Sequence, residues 1–176
     1  MSVEPLADGH RGGLRDAAAD TSIFRFMAWP EDFDVWFDQA LAAGTEAPFA
    51  VVMGGVPVGS TRYLNYVPEH RRVEIGWTWC RRTAWGTGAN AETKYLLMRH
   101  AFETGGVQRV EFKTDARNQR TRGALLAAGA RFEGIARKHM ILPNGPRDSA
   151  WYAVTEDDWP DVKQRLEARI QALAAR

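Results

Sequence analysis

Residues 81–90 have the sequence RRTAWGTGAN and lie between a predicted strand at 72–80 and a predicted helix at 89–104. Glycine lets a backbone come close to a ligand, and the first turn of a helix offers unpaired N–H groups and the positive end of its dipole. A pyrophosphate group is the natural ligand of such a loop. Gly86-Thr-Gly88 by itself is equally compatible with a loop whose glycines only permit a turn.

The chain on both sides of this loop predicts a mixed α/β fold with a mostly antiparallel sheet. Short links join extended runs at 49–53, 58–66 and 72–80, which indicates antiparallel pairing. The strand at 108–115 must run parallel to the strand at 72–80, because the helix between them carries the chain back along the sheet. The remaining predicted elements are a strand at 2–6, helices at 8–20, 31–43 and 118–129, a hairpin over 130–154 that turns at Pro143-Asn-Gly-Pro146, and a terminal helix after residues 155–158.

Composition excludes several classes of protein. The 176 residues, 45% hydrophobic and 26% charged, predict one globular domain over 1–176. The 23 basic and 22 acidic residues leave no electrostatic footprint for a nucleic acid or an anionic membrane, and no stretch approaches the ~20 apolar residues of a membrane span. A single cysteine, Cys80, and four scattered histidines predict no disulfide and no metal site. We therefore expect a cytoplasmic protein that recognises its partners locally.

A nicotinamide enzyme is the first alternative, because Gly86-x-Gly88-x-x-Ala91 satisfies the dinucleotide-binding fingerprint. That fingerprint requires glycines directly at the end of a strand and several consecutive βαβ units. Here residues 81–85 intervene, and the pattern predicts only one parallel crossover. A nucleoside-triphosphate loop is also disfavoured, since neither Gly-Lys-Ser nor Gly-Lys-Thr occurs in the chain.

Four motifs across the chain carry a family resemblance. They are Val73-Glu-Ile-Gly-Trp77, Gly86-Thr-Gly88-Ala-Asn90, Val110-Glu-Phe-Lys113 and Asn118-x-x-Thr121-x-x-Ala124-Leu-x-x-x-Gly129-Ala-x-Phe132. With these motifs the sequence resembles the GNAT N-acetyltransferases, and within them the RimJ/RimL type that acetylates ribosomal-protein N-termini. The resemblance implies a mixed, mostly antiparallel central sheet with flanking helices, whose fourth and fifth strands splay apart. It also implies acetyl-CoA as co-substrate and an amine as acceptor.

The resemblance further implies which residues hold the coenzyme. Backbone amides near the end of the fourth strand would hold the pantetheine and the thioester carbonyl, and the glycine loop would bind the pyrophosphate. Asn118 would contact the pantetheine arm or lie beside the departing sulfur, and it fits a helix cap equally well. The implied cofactor-binding residues are Trp77, Thr78, Trp79, Trp85, Gly86, Thr87, Gly88, Ala89, Asn90, Asn118 and Thr121.

Three positions depart from the family pattern. Trp85 replaces the usual Gln or Arg that opens the loop, and Asn90 replaces a small residue at its end. Many members also place a tyrosine seven residues after the asparagine to protonate the leaving thiolate, and this chain has Leu125 there. The acid must then come from another residue or from water.

The candidate catalytic residues are Glu74, Asn118 and Tyr152. The reaction needs a neutral amine, and Glu74 between Val73 and Ile75 is our candidate base. It resembles the fourth-strand glutamate of the family, and its side chain would lie on the opposite face from its two neighbours. An ordinary solvated strand glutamate is the alternative interpretation. Tyr152 is a candidate proton donor to the thiolate, although a tyrosine beside Trp151 is also typical of packing. Cys80 is predicted to be a small buried hydrophobe.

The acceptor site is predicted around Trp29, Asp32 and Trp36. Trp29 lies in the link between the first two predicted helices, a link that covers the acceptor site in this family. The acidic residues Glu31, Asp32 and Asp34 would attract a cationic amine there, or they only favour a helix N-terminus.

Two classes of function remain. The first is an N-acetyltransferase that acts by direct transfer in a ternary complex, on a peptide N-terminus or on a small amine. The second is a non-catalytic acyl-CoA-binding regulator or assembly protein. This alternative remains because Leu125 replaces the tyrosine acid of the family. A homodimer is compatible with either.

Overall fold

A seven-stranded sheet forms the centre of the computed structural model, which describes residues 1–30, 32–143 and 145–175. Its strands are β1 (Ser2–Pro5), β2 (Ala47–Met53), β3 (Val56–Val67), β4 (Arg72–Cys80), β5 (Arg109–Asp115), β6 (Arg131–Leu142) and β7 (Gly145–Thr155). They lie in the order β1-β2-β3-β4-β5-β7-β6. All neighbours pair antiparallel except β4 and β5, which are parallel. The predicted mixed, mostly antiparallel sheet is confirmed.

Helices cover both faces of this sheet. They are α1 (Arg11–Ala17), α2 (Phe33–Ala42), α3 (Ala89–Arg99), α4 (Gln119–Ala127) and α5 (Trp159–Ala174). A π-helical turn, His100–Thr104, extends α3, so the helical segment ends where the sequence predicts it. This segment is the crossover that makes β4 and β5 parallel.

The apolar residues form separate cores on the two faces. On one face, Met98 of α3 and Leu166 of α5 pack with Val110 and Val154 of the sheet. On the other face, α1 and α2 cover Ala50 and Val52 of β2 and Trp79 of β4. The two helices add Leu14, Trp36 and Phe37 to this core. Side chains alternate along a strand, so neighbouring β2 residues serve opposite cores.

The first predicted helix is shorter than the sequence pattern indicates. The α-helix ends at Ala17, and the chain then forms a 3₁₀ turn over Thr21–Phe24. Asp20 starts this turn, because its carboxylate accepts hydrogen bonds from the Ser22 backbone N–H at 3.1 Å and from the Ser22 hydroxyl. Aspartate competes with helix continuation through such local bonds.

Two other predicted features touch residues outside the described part of the chain. The helix predicted at 31–43 begins at Phe33 with Asp32 as its N-cap, and Glu31 lies outside the described residues. The hairpin predicted over 130–154 is present as β6 and β7, with Leu142 opposite Gly145. Asn144, which carries the predicted tight turn, also lies outside the described residues.

Candidate active site

The parallel strands β4 and β5 pair over three residues only. Residues 72–74 lie opposite residues 109–111, and beyond Glu74 and Glu111 the two strands have no register partners on each other. Strand β5 continues instead in register with β7 as far as Asp115. The predicted splay between the fourth and fifth strands is therefore present, and it opens a gap in the sheet.

A bulge in β4 shapes one wall of this gap. Trp77 has a φ of +51°, which is unusual for a bulky residue, and the β3–β4 register shifts by one residue there. Ser60 of β3 pairs with Trp79 and Arg62 pairs with Gly76, so Trp77 and Thr78 together lie opposite the single residue Thr61 and neither has its own register partner on β3. Neither has a register partner on β5, so this widened stretch of backbone borders the gap.

A cavity of about 550 Å³ extends from this gap to the glycine loop. Its size is that of a pocket for a small molecule or cofactor. Most of the predicted cofactor-binding residues line it: Trp77, Thr78, Trp79, Trp85, Gly86, Gly88, Asn90, Asn118 and Thr121. Thr87 and Ala89 do not. The Thr87 hydroxyl donates to the Ala84 carbonyl at 2.8 Å, and Ala89 is buried at the start of α3.

The glycine loop has the geometry of an anion-binding turn. Gly86 and Gly88 have φ values of +79° and +97°, and Gly88 is the N-cap of α3. Glycine adopts such angles without steric cost. Trp85, which replaces the polar residue of the family pattern, donates from Nε1 to the Cys80 carbonyl at 2.9 Å and so ties the loop to the end of β4.

Three cations surround the loop end of the cavity. Lys94, Arg120 and Arg169 all line it, and none of them forms an ion pair with a carboxylate in the described part of the chain. The Arg120 guanidinium lies 3.5 Å from the ring centre of Trp85. Lys94 is only 5% exposed and donates to the Asn90 side-chain oxygen. Burial lowers the pKa of Lys94 to about 8. Unpaired cations beside a helix N-terminus suit a phosphate-bearing ligand.

Glu74 lies at the other end of the cavity and is 2% exposed. It is therefore not the solvated glutamate of the alternative interpretation, and its neighbours Val73 and Ile75 are buried as well. Its Oε2 accepts a hydrogen bond from Asn65 Nδ2 at 2.8 Å and lies 3.3 Å from Lys113 Nζ. Both contacts use Oε2, which leaves Oε1 as the carboxylate oxygen that can serve the cavity.

Asn118 fulfils its predicted structural role. It is the N-cap of α4, and its side-chain oxygen accepts a hydrogen bond from the Thr121 backbone N–H at 3.1 Å. Both residues also line the cavity, so the cap places the amide of Asn118 at the cavity wall.

Tyr152 and Leu125 give the cavity no hydroxyl group. Tyr152 is fully buried in the core, where its hydroxyl accepts a hydrogen bond from Arg122 Nε at 2.9 Å, and it does not line the cavity. Alternation along β7 turns Tyr152 into the core formed with α3 and α5, so it has the packing role that was the alternative to a proton donor. Leu125 does line the cavity and brings only carbon atoms there.

The structure places none of the three predicted acceptor residues on the cavity wall. Trp29 stacks on Phe24 with ring centres 3.5 Å apart, and Trp36 is buried beneath it. Asp32 caps α2 by accepting from the Asp34 backbone N–H at 2.7 Å. These positions follow from packing of the second core and from helix capping. The preceding residues of the same link, Phe26, Met27 and Ala28, line the cavity instead.

Several cavity residues lack a signal that sequence analysis could use. Lys113 is the last residue of the fifth-strand motif, but the motif does not indicate that Lys113 lies 3.3 Å from Glu74. Met140 and Arg147 come from the β6–β7 hairpin, and Arg147 is only 7% exposed. The burial of an arginine on this hairpin can be recognised only once the hairpin is placed against the gap.

The comparisons with known proteins agree with this geometry. Residues 2–131 match the family of GNAT acetyltransferase domains. A crystal structure of a proposed acetyltransferase is 38% identical and has a TM-score of 0.89, with 96% of this chain and 89% of that chain covered. A proposed acetyltransferase from T. thermophilus is 37% identical, with a TM-score of 0.87 and coverage of 96% and 92%. The chain therefore belongs to the GNAT acetyltransferase family, whose common activity is acetyl transfer.

More distant structures share the fold alone. Mycobacterium smegmatis RimJ, solved in complex with CoA-disulfide, is 21% identical with a TM-score of 0.83, over 95% of this chain and 88% of that chain. We found no match among curated protein sequences. In the described residues, no helix is both long and apolar enough to cross a membrane, and no group of three or more His, Cys, Asp or Glu side chains is placed to hold a metal ion.

Proposed function

We propose that this protein is an N-acetyltransferase that moves the acetyl group of acetyl-CoA directly to a primary amine, with both substrates bound at once. One observation carries the proposal: a single cavity joins the cation-lined glycine loop to the gap where β4 and β5 separate. The loop end suits the phosphates of the coenzyme, and the gap end holds a buried carboxylate, Glu74. Donor and acceptor would thus meet beside Trp77.

The chain has suitable groups along the length that the coenzyme would occupy. The loop N–H groups at Gly86 and Gly88, with Lys94 and Arg120, would bind the phosphates. Asn118 on α4 would contact the pantetheine arm. The backbone at Trp77 and Thr78, which has no register partner on β3, would hold the thioester carbonyl and polarise it.

The proton transfers follow from the same placement. Glu74 Oε1 accepts a proton from the acceptor ammonium, directly or through one water, and so supplies the neutral amine. The amine nitrogen then attacks the thioester carbonyl carbon and forms the carbon–nitrogen bond, while the carbon–sulfur bond breaks and its electron pair leaves on the sulfur. The nitrogen loses its second proton to solvent, which gives the neutral amide. Because Leu125 stands where relatives carry a tyrosine, we propose that the thiolate takes its proton from solvent.

The test is thiol release from acetyl-CoA in the presence of a panel of amines, measured against release without amine. Amine-dependent release with stoichiometric N-acetyl product supports the proposal. The second candidate is an acyl-CoA-binding protein without catalysis. It is favoured by Leu125, because this side chain gives the cavity no group that could protonate the thiolate. Calorimetric binding of acetyl-CoA without release for any amine would establish that candidate instead.

We predict that an α-amino group is acetylated in preference to a lysine side chain. At about pH 7.5, an amine of pKa about 8 is roughly one quarter neutral, whereas one of pKa about 10.4 is about a thousandth neutral. This difference corresponds to about 3 kcal/mol. The measurement offers lysine and a lysine-containing peptide with one amine blocked at a time, and locates the acetyl group by mass spectrometry. Preferential labelling of the side chain would contradict the prediction.

The buried Lys94 gives coenzyme binding a pH dependence. A bound phosphate favours the charged form of Lys94, whose pKa in the free protein is about 8 because of burial. Binding therefore takes up a proton above this pH, and we expect the affinity for CoA to be constant below about pH 8 and to fall by up to about tenfold per pH unit above it.

Calorimetry between about pH 7 and pH 9.5 measures this dependence. In Lys94→Met the affinity should be lower and should not change through this window. Lys163→Met is the matched control, because Lys163 lies on α5 and pairs with Glu103 outside the cavity. An equal slope in wild type and Lys94→Met would show that another group is responsible.

The domain organisation, the cellular compartment, the partners and the oligomeric state of the protein remain predictions. We propose that residues 1–176 form one domain, that the protein works in the cytoplasm, and that acetyl-CoA and an amine are its partners without nucleic acid or membrane. A homodimer is a further proposal, and a protein N-terminus, the acceptor of the RimJ/RimL type, is the alternative to a small amine. Size-exclusion chromatography with light scattering tests the homodimer.

A further inference from the structure

Arg147 is a buried cation at the amine end of the cavity. It lies in β7 opposite Met140 of β6, lines the cavity and is 7% exposed. Its Nε has no hydrogen-bond partner in the described part of the chain. Its Nη1 approaches the Phe26 carbonyl at 3.5 Å, which is at the outer limit of a hydrogen bond. Most of the five N–H donors of this guanidinium are consequently unused.

Neighbouring carboxylates do not neutralise Arg147. Glu74 and Asp115 are the acidic groups whose charge acts on it, and each has another partner. Glu74 pairs with Lys113 at 3.3 Å, and Asp115 is held by Arg117 at 2.8 Å. Burial of an unpaired cation is costly, which is reflected in a pKa of Arg147 below its usual value. An arginine in this situation is typical of a site that an anion completes.

The coenzyme phosphates have their own cations. Lys94, Arg120 and Arg169 surround the glycine loop, and the positive charges that act on Lys94 are those of Arg120 and Arg169. The charges that act on Arg147 are instead those of Asp115, Glu74 and Arg117. The anion that Arg147 would bind is therefore part of the acceptor and not of the coenzyme.

The polarity of this end of the cavity matches a zwitterion. Glu74 has one negatively charged oxygen for an ammonium group. The planar guanidinium of Arg147 has two neighbouring N–H donors, which can form two parallel hydrogen bonds with a carboxylate. The surrounding wall is apolar and is formed by Phe26, Met27, Leu64 and Met140. A polyamine would instead meet the positive charges of Lys113 and Arg147.

We propose that the acceptor is a small primary amine that also carries a carboxylate, an amino acid with an apolar side chain, and that Arg147 binds this carboxylate. The inference rests on the proposed N-acetyltransferase function and narrows its acceptor. Arg147 would orient the amine toward Glu74 and the thioester, and it would take no part in proton transfer.

The experiment compares leucine, methionine and phenylalanine with their amides and with the amines that lack the carboxyl group altogether. The α-amino group of an amide is less basic than that of the free acid, so proton availability favours the amide. We nevertheless expect kcat/KM for the free acids to be about tenfold to a hundredfold higher, the range that loss of a hydrogen bond to a charged group produces.

Variants of Arg147 assign the effect to this residue. In Arg147→Met we expect the preference for free acids to be lost through a higher KM, with the KM for acetyl-CoA and the activity on the amides unchanged. Arg147→Lys keeps the charge but not the fork and should recover part of the preference. Arg137→Met is the matched control, because Arg137 is an exposed arginine of the same hairpin and lies outside the cavity wall. It should behave as wild type.

A binding measurement separates this inference from the proposed function. Calorimetry of N-acetyl-leucine with the CoA-bound protein needs no turnover, and we expect binding in wild type and Arg137→Met but not in Arg147→Met. Thermal unfolding checks that Arg147→Met is folded, and removal of an unpaired buried charge should not lower its stability. Equal rates for acids and amides, faster acetylation of peptides or polyamines, or equal binding by Arg147→Met would overturn the inference, whereas acetylation of the amides would still leave the N-acetyltransferase function in place.

Discussion

Gly88→Glu is expected to abolish coenzyme binding, with a loss of affinity of at least about a hundredfold. Gly88 caps α3 with a φ of +97°, so its N–H groups and those that follow face the cavity. The substitution places a negative charge where the phosphates would lie. The new carboxylate would also pair with Lys94 or Arg120, which would otherwise bind the phosphates. Like charges in a partly buried site repel by several kcal/mol. Calorimetry with CoA measures the loss.

A matched variant separates charge from backbone strain. Gly88→Ala has the same unfavourable φ, and its Cβ would lie in ordinary van der Waals contact with Leu173 of α5, at 3.4 Å. Both variants should therefore lose about 1–2 kcal/mol of folding stability, the usual cost of a left-handed conformation for a residue with a Cβ. Only Gly88→Glu should lose the coenzyme. An unchanged affinity in a folded Gly88→Glu protein would remove the glycine loop from the phosphate site.

Glu74→Gln is expected to reduce turnover by about 10²–10⁴-fold while coenzyme affinity is preserved. The substitution keeps the shape of the side chain and its hydrogen bond with Asn65, but the amide cannot accept a proton from the acceptor. The effect should appear in kcat at saturating amine, and it should weaken at high pH, where more of the amine is already neutral.

The neighbouring strand provides a close control. Glu111 lies opposite Glu74 in the β4–β5 register, is also buried, and pairs with Arg72 and Arg109 outside the cavity. Glu111→Gln removes a buried carboxylate of the same kind and should cost stability without a comparable loss of turnover. A decrease of less than threefold in Glu74→Gln would indicate that water alone deprotonates the amine.

The crossover around the glycine loop was the most predictable part of the fold. Strand, loop and helix signals at 72–104 allow only one direction for the next strand, and β5 is indeed parallel to β4. The glycines and the Asn118 cap are local features with local signatures, and the structure places them on one cavity. Local sequence was sufficient because each of these features depends on backbone geometry within a few residues.

The acceptor end depends on contacts that sequence patterns do not report. The positive φ of Trp77 has no signature, because tryptophan rarely adopts it and only the sheet around it enforces it. Arg147 reaches the cavity through the β6–β7 hairpin, more than 70 residues after Glu74. Trp29 and Asp32 were predicted to bind the acceptor, but in the structure Trp29 packs on Phe24 and Asp32 caps α2.

The bulge at Trp77 also means that β4 belongs to both cores. In a regular strand Ile75 and Trp79 would point to the same face, whereas here Ile75 packs on the α3 side and Trp79 on the side of α1 and α2. A regular strand with the same number of residues would turn Trp79 out of its core and would at the same time remove the widened backbone at the gap. In this sequence the opening of the site and the packing of α1 and α2 therefore depend on the same bulge.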